Sequence, residues 1–226
     1  MRFGIISAGE GRRLASEGFS QPKPLVPISG VPMIERLVRI MNGCGAERIA
    51  VIVNGENPET VSLLKKLPVD LVVKKTPTPM HSMMELAPYL EGDRFCVTTV
   101  DTVFSESRFR IMMDEFSRSS MDGLMGVTSL IDDEKPLYVD VDGEMMIKGF
   151  HDSQDNCRFV SAGIYALKAD ALNVLKSCLE SGQTRMRYFQ RQLLEAGMRL
   201  KAFDMGQVVD VDHVSDVARA QEIAKL

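Results

Sequence analysis

Two short stretches near the start of the chain carry residue types that handle phosphate. The first, Ser7-Ala8-Gly9-Glu10-Gly11-Arg12-Arg13, sets small residues and glycines against two arginines. The second, Pro22-Lys23-Pro24-Leu25, holds a lysine between two prolines. Glycines let a backbone approach a ligand closely and turn several N–H donors into one concavity, which suits an anion. Arginine adds a planar fork that matches phosphate oxygens, and lysine adds a compact charge. The prolines flanking Lys23 restrict its backbone, so its ammonium is presented from a stiff loop. Two familiar phosphate loops are excluded. No G-x-x-x-x-G-K-[ST] occurs, and Leu14 stands where a dinucleotide fingerprint would have its third glycine.

The elements that must position these residues follow from the hydrophobic pattern. Phe3-Gly4-Ile5-Ile6 reads as a buried strand delivering the glycine loop. Pro32 opens an amphipathic helix carrying Met33, Ile34, Leu37, Val38, Ile40 and Met41, which Asn42-Gly43 stops. Further strands are predicted at residues 48–53, 71–73 and 95–100. Between them lie a short helix from Pro58, a loop at residues 76–79 and a helix near 82–90 whose second half Pro88 disfavours. Such alternation with short connections predicts a parallel sheet, with ligands beyond the carboxyl ends of its strands. The first strand ends at the glycine loop and the fourth at Asp101, so one edge carries both. Asp101 has a structural alternative, capping a helix that begins near Ser105.

The second half changes character. A helix near residues 105–119 precedes strands at 123–130, 137–141 and 144–148, the last two joined by Asp142-Gly143, a strong hairpin signal. A strand at 158–167 contains Gly163, which permits close backbone approach. Two helices are expected at about 169–180 and 185–196. The segment Gln207-Val-Val-Asp-Val-Asp-His213 then leads to a terminal helix carrying Val217, Ala218, Ala220 and Ile223, with Asp216 as its cap.

Composition narrows the class. At 226 residues the chain suits one α/β domain, and 45% hydrophobic with 26% charged residues is ordinary for a globular protein. A formal charge of −4 gives no basic footprint for nucleic acid. Cys44, Cys96, Cys157 and Cys178 form no C-x-x-C pair, and His81, His151 and His213 lack metal-ligand spacing, so free thiols and no zinc site are expected. Arg2 leads straight into a strand and no apolar run reaches membrane-spanning length, so neither a signal peptide nor a membrane span is read. The cytoplasm is the expected location; the oligomeric state is left open.

The opening stretch resembles the signature of nucleotidyltransferases that join a nucleoside triphosphate to a sugar 1-phosphate or similar compound, a superfamily that includes the MobA-like NTP transferases. Its pattern, A-G-x-G-x-R-L and then P-K-P-L-x-P-x-x-G-x-P, is met by residues 8–14, 22–27 and 30–32. The resemblance extends over nearly the whole chain. It implies an α/β, single-domain Rossmann-like (GT-A-like) three-layer sandwich with a mixed, mainly parallel central sheet. Residues 1–104 would then form a nucleotide-binding half and residues 105–226 an acceptor-binding half.

The same resemblance implies the roles. Arg13 would hold the leaving phosphates and Lys23 the α-phosphate and acceptor phosphate, while Ala8, Gly9, Glu10 and Gly11 cradle the nucleotide. Val100-Asp101-Thr102-Val103-Phe104 is similar to a metal-binding G-D-x-x-F, with valine for its glycine. Mg²⁺ is the implied cofactor, bound by Asp101 and Asp210, with Asp212 a rival for the second place. Ser161-Ala162-Gly163-Ile164-Tyr165 resembles an acceptor-lining N-A-G-I-Y strand, which assigns Ser161 and Gly163 to the acceptor. Asp210-Val-Asp212-His-Val-Ser-Asp216 resembles a closing D-x-G-T-P-E-D or N-x-D-T-P-E-D element in which His213 and Val214 replace threonine and proline. Pro79-Met80-His81-Ser82-Met83 stands where many members have G-T-A-x-A, which places His81 and Ser82 at the base or ribose. Some cytidylyltransferases carry an N-x-x-S-L-like element there, a comparable match.

The expected reaction is Mg²⁺-dependent nucleotidyl transfer from an NTP to a sugar 1-phosphate, releasing pyrophosphate. Cytidylyl transfer to a phosphorylated alcohol (choline, alditol or inositol phosphate) is the alternative, with guanylyl transfer to a molybdopterin-like acceptor behind it. A glycosyltransferase would use Asp210-Val-Asp212 as a D-x-D motif, and a non-catalytic sensor would bind a nucleotide-sugar without turnover. A glycosyltransferase has no reason to keep Arg13 and Lys23 in that setting and would carry its D-x-D after a middle strand, and Arg13, Lys23, Asp101 and Asp210 together count against a sensor.

Overall fold

A computed structural model describes residues 1–130 and 135–225. In chain order the first half contains β1 (Arg2–Ser7), α1 (Arg12–Ser16), a 3-10 turn at Lys23–Leu25, β2 (Pro27–Ile28), β3 (Val31–Pro32), α2 (Met33–Gly43), β4 (Arg48–Val53), α3 (Pro58–Leu64), β5 (Asp70–Val73), α4 (Pro79–Leu90), β6 (Arg94–Thr99) and β7 (Thr102–Phe104). The second half adds α5 (Glu106–Arg118), β8 (Gly123–Thr128), β9 (Tyr138–Val141), β10 (Ile147–His151), β11 (Phe159–Lys168), α6 (Ala171–Glu180), α7 (Met186–Glu195), β12 (Leu200–Asp204), β13 (Val208–Asp210) and α8 (Val214–Ile223).

The main sheet has nine strands and runs β10-β9-β11-β6-β1-β4-β5, with β8 pairing to β11 and β12 to β8. β1 is parallel to both β4 and β6, β5 is parallel to β4, and β12 is parallel to β8. Only β10 and β11 run against the rest, so the sheet is mixed and mainly parallel, as expected. Because β11 pairs with β6, the two halves of the chain share one sheet.

Burial on both faces makes three layers. One face of the sheet, with Phe3, Ile5, Val51 and Ile164, meets Ile34 and Leu37 of α2, Phe109 and Phe116 of α5, and Ile223 of α8. The other, with Ile52, Val97 and Leu167, meets Met83 and Leu86 of α4, Leu175 of α6 and Phe189 of α7. Central strands buried on both faces explain why β1 and β4 read as continuous apolar runs. Among the described residues no helix is long and apolar enough to cross a membrane.

Several local expectations are revised. Helix α4 starts at Pro79 and carries Pro88 in its last turn, where one missing donor is tolerated. The β9–β10 hairpin forms, but its turn is longer than a two-residue Asp-Gly loop. Asp142 Oδ1 accepts from the backbone N–H groups of Glu144 and Met146, and Met145 takes the positive φ. The short helix α1 follows Gly11, whose left-handed backbone (φ 62°) turns the chain from the loop into that helix. Strand β12 is absent from the sequence reading. The final strand, β13, joins β7 in a separate antiparallel ladder and stands outside the main sheet.

Candidate active site

The carboxyl edge of β1 opens a cleft of about 450 Å³ lined by residues 8–14, Lys23, residues 75–77 and Asp212. The glycine loop therefore lies where the sequence places it, and Gly9, Glu10 and Gly11 all border the cleft. Glu10 is held between Arg12 and Lys75, which lowers its proton affinity through hydrogen bonds from Lys75 first and then Arg12. Lys75 also reaches Glu56 Oε1 at 2.8 Å, so its ammonium ties the loop after β5 to the loop after β4.

Chain segments far apart in sequence meet beside this loop. Strand β7 pairs with β13, setting Asp210 opposite Thr102, and the Val211 N–H donates to the Asp101 carbonyl at 3.0 Å. This short ladder brings Asp101, Asp210 and Asp212 together at one edge. Lys23 Nζ lies between two of them, 2.5 Å from Asp101 Oδ2 and 2.6 Å from Asp212 Oδ1. Arg13 NH1 reaches the other oxygen of Asp212 at 2.6 Å. Burial works against the Lys23 charge, but Asp101 and then Asp212 outweigh it, so its proton is held more tightly than in a free lysine. Burial likewise disfavours the Asp212 carboxylate, and the bond from Lys23 leads the opposing contributions that leave it more acidic than usual.

Asp210 behaves differently. Its Oδ1 accepts from Thr102 Oγ1 at 2.9 Å, and Thr102 Oγ1 is 2.8 Å from Thr99 Oγ1. Asp210 is exposed on one side, where it borders a neighbouring cavity, yet protein atoms crowd its carboxyl. Desolvation there, followed by the charge of Asp101, pushes it up to about 7. Thus Asp212, the rival in the sequence reading, shares the Lys23 cation with Asp101. Asp210 sits against the threonines.

A second cavity, of about 600 Å³, is lined by Thr128, Val160, Ser161, Asp210, His213 and Arg219 among others. Arg13 and Asp212 border both cavities, so their ion pair stands at the boundary. Ser161 belongs to this wall, and its hydroxyl donates to Gln190 Oε1 at 2.9 Å. Gly163, with φ 69°, lies beside Thr102, whose Oγ1 would be 3.4 Å from an added Cβ. His213 Nδ1 is 2.5 Å from Glu17 Oε1, and Glu17 Oε2 accepts from the Val214 N–H. The end of α1 is thereby latched to the start of α8. The bond to Glu17 raises the proton affinity of His213.

His81 and Ser82 do not border the cleft. Ser82 is 1% exposed, and its Oγ is 2.6 Å from Thr76 Oγ1, so it supports the cleft wall through Thr76. His81 Nδ1 is 2.9 Å from Thr78 Oγ1 in the first turn of α4. Lys75, Thr76 and Pro77 do line the cleft, whereas the sequence reading has Thr76 and Pro77 only as loop and does not single out Lys75. Their place after a parallel strand at the same edge was the available signal.

The donor set suits one hard cation. Among the described residues no three His, Cys, Asp or Glu side chains converge as a metal cage. Mg²⁺ needs only one or two carboxylates, with phosphate and water completing its shell. Asp101 and Asp212, already facing one cation between them, could provide such a pair.

Fold and site together define a nucleotidyltransferase-type α/β protein. The MobA-like NTP transferase domain model matches residues 4–146, and the chain belongs to that family. It is 26% identical over 225 residues to the bifunctional protein GlmU of Methanococcus maripaludis, covering 96% of this chain and 52% of that protein. The chain thus spans about half the length of that relative. Its fold is similar to a putative glucose-1-phosphate thymidylyltransferase from Bacillus anthracis (TM-score 0.85, 20% identity, 100% of this chain and 95% of that one). It is also similar to an inositol-1-phosphate CTP transferase from T. maritima (TM-score 0.78, 21% identity, 99% and 97%).

Proposed function

We propose that this chain transfers a nucleotidyl group from a nucleoside triphosphate to a phosphorylated small molecule, in the first instance a sugar 1-phosphate. An acceptor phosphate oxygen attacks the α-phosphorus, the bond from that phosphorus to the β-bridging oxygen breaks, and pyrophosphate leaves with the electron pair. The observation that carries this reading is the convergence of Arg13, Lys23, Asp101 and Asp212 beside the glycine loop. Both reactants are polyanions, so such a site works by positioning and by charge aimed at the reacting phosphates.

In this reading the nucleotide phosphates occupy the first cavity and the acceptor the second. Arg13 at their boundary meets the leaving phosphates, and Lys23 meets the α-phosphate and the acceptor phosphate. Asp101 and Asp212 would hold Mg²⁺, which, when bound, neutralises phosphate charge. Asp210, held by Thr102, contributes through its field on the pair. Ser161 belongs to the acceptor wall, Gly163 stands beside it against Thr102, and the Thr76–Ser82 contact belongs to the base wall. Cytidylyl transfer to a phosphorylated alcohol is the second reading. It is favoured by the helical start of α4 at Pro79, which leaves no glycine-rich base loop there.

The test scores pyrophosphate release from each of the four triphosphates against hexose 1-phosphates, inositol 1-phosphate and choline phosphate. The expected result is release that depends on both a particular triphosphate and an acceptor. D101N and D212N should raise the Mg²⁺ concentration for half-maximal rate by tenfold or more, and D210N by less. No release from any combination would remove the enzyme reading; D210N showing the larger effect would reverse the roles of Asp210 and Asp212.

A further inference from the structure

Lys23 fills the space between Asp101 and Asp212, the two carboxylates that would hold a divalent ion. Its Nζ is 2.5 Å and 2.6 Å from one oxygen of each carboxylate, and only 13% of its side-chain surface is exposed. The second Asp212 oxygen is taken by Arg13 at 2.6 Å. In the free protein, therefore, the two carboxylates are matched by two cations of the chain itself. Adding a bare divalent ion would crowd an ammonium and a metal together and leave the edge with a net positive charge even with Asp210 ionised. A triphosphate carrying its metal is still an anion. It can draw Lys23 and Arg13 onto phosphate oxygens while its metal takes the carboxylates.

We propose that Lys23 is a place-holder cation that closes the Asp101–Asp212 site to free divalent metal and opens it only when a triphosphate arrives. The inference rests on the nucleotidyl-transfer reading and adds an order to it: metal enters with the nucleotide, not before it. The stiff setting of Lys23 supports this role. Pro22 and Pro24 flank it, the 3-10 turn starts on it, and its Cβ lies 3.0 Å from the Cβ that Gly11 lacks, so loop and lysine move as neighbours. A ligand seated on the glycine loop is thus in direct reach of the residue that blocks the metal site.

The test uses Mn²⁺ alone as the first probe, with free Mn²⁺ measured by its paramagnetic resonance signal. Wild type should bind Mn²⁺ weakly, and K23M should bind it at least tenfold more tightly. K23Q repeats the measurement in case K23M does not fold, and circular dichroism checks both. Adding D101N to either variant should abolish the gain, tying it to this site. Adding an α,β-methylene triphosphate (all four bases tried) should tighten Mn²⁺ binding to wild type by tenfold or more and to K23M by clearly less. A salt bridge with only a structural role would lower stability in K23M without tightening metal binding. Equal Mn²⁺ affinity in wild type and both variants overturns the proposal. So does a gain that survives D101N. Pyrophosphate release by wild type together with no Mn²⁺ gain in the variants removes the place-holder and keeps the transfer reading. A Mn²⁺ gain with no release from any substrate pair keeps the place-holder and removes the transfer reading.

Discussion

Removing the charge of Asp210 should stabilise the metal-free protein above pH 3.8, and most at neutral and alkaline pH. The carboxyl is pushed from the ordinary 3.8 up to about 7 by desolvation among the surrounding protein atoms and by the neighbouring Asp101 and Asp212 charges. Below pH 3.8 the group is protonated in folded and unfolded chains alike, and its contribution cancels. Between 3.8 and about 7 the unfolded chain has released the proton and the folded one has kept it, so stability falls as pH rises. Above about 7 both are ionised and the full penalty is present. At 1.36 kcal/mol per pKa unit that interval corresponds to about 4 kcal/mol. Water reaches the exposed side of this residue, and such screening reduces the figure to roughly 1.5 kcal/mol. In D210N the amide oxygen would still accept from Thr102 Oγ1, so the substitution isolates the charge. Thermal unfolding of wild type and D210N in the presence of EDTA is the assay. For a chain of this size D210N should melt about 4 °C higher at pH 8, with a smaller gain at pH 5 and little at pH 3. An equal gain at all three pH values, or a loss at pH 8, would refute the argument that the folded state holds a strained carboxylate there.

Two further outcomes follow from the geometry. R13A should fold with a melting temperature near that of wild type, since Arg13 is well exposed, but lose at least about a hundredfold in pyrophosphate release through missing charge on the reacting phosphates. Wild-type turnover in folded R13A would remove Arg13 from the site. G163A should cost roughly 1 kcal/mol in urea unfolding, because a φ of 69° strains a residue with a Cβ, whereas the contact with Thr102 Oγ1 at 3.4 Å is ordinary. No measurable loss would mean that the backbone relaxes at this position.

Much of the architecture was legible because it is local. Continuous apolar runs mark β1, β4 and β6, and helical spacing marks α2; these depend on residues that are neighbours in sequence. The glycine loop, Arg13 and Lys23 were legible for a similar reason, since a stiff or left-handed backbone is encoded by glycine and proline at the site itself.

The partners of those residues were not local, and tertiary structure decided them. Asp210 and Asp212 are separated by one residue and look equivalent in sequence. Pairing of β13 with β7 sets Asp210 against Thr102, while the chain turning past Val211 presents Asp212 to Lys23 and Arg13. That ladder joins strands separated by about a hundred residues, and its register depends on backbone bonds that no local periodicity reports. Ser82 looked like a ligand residue by position, but packing of α4 buries it and leaves Thr76 at the cleft wall. Residue types and spacing alone mark which side chains carry the chemistry to meet phosphate. Only the fold decided which carboxylates share a cation, because that choice is made by hydrogen bonds between distant segments.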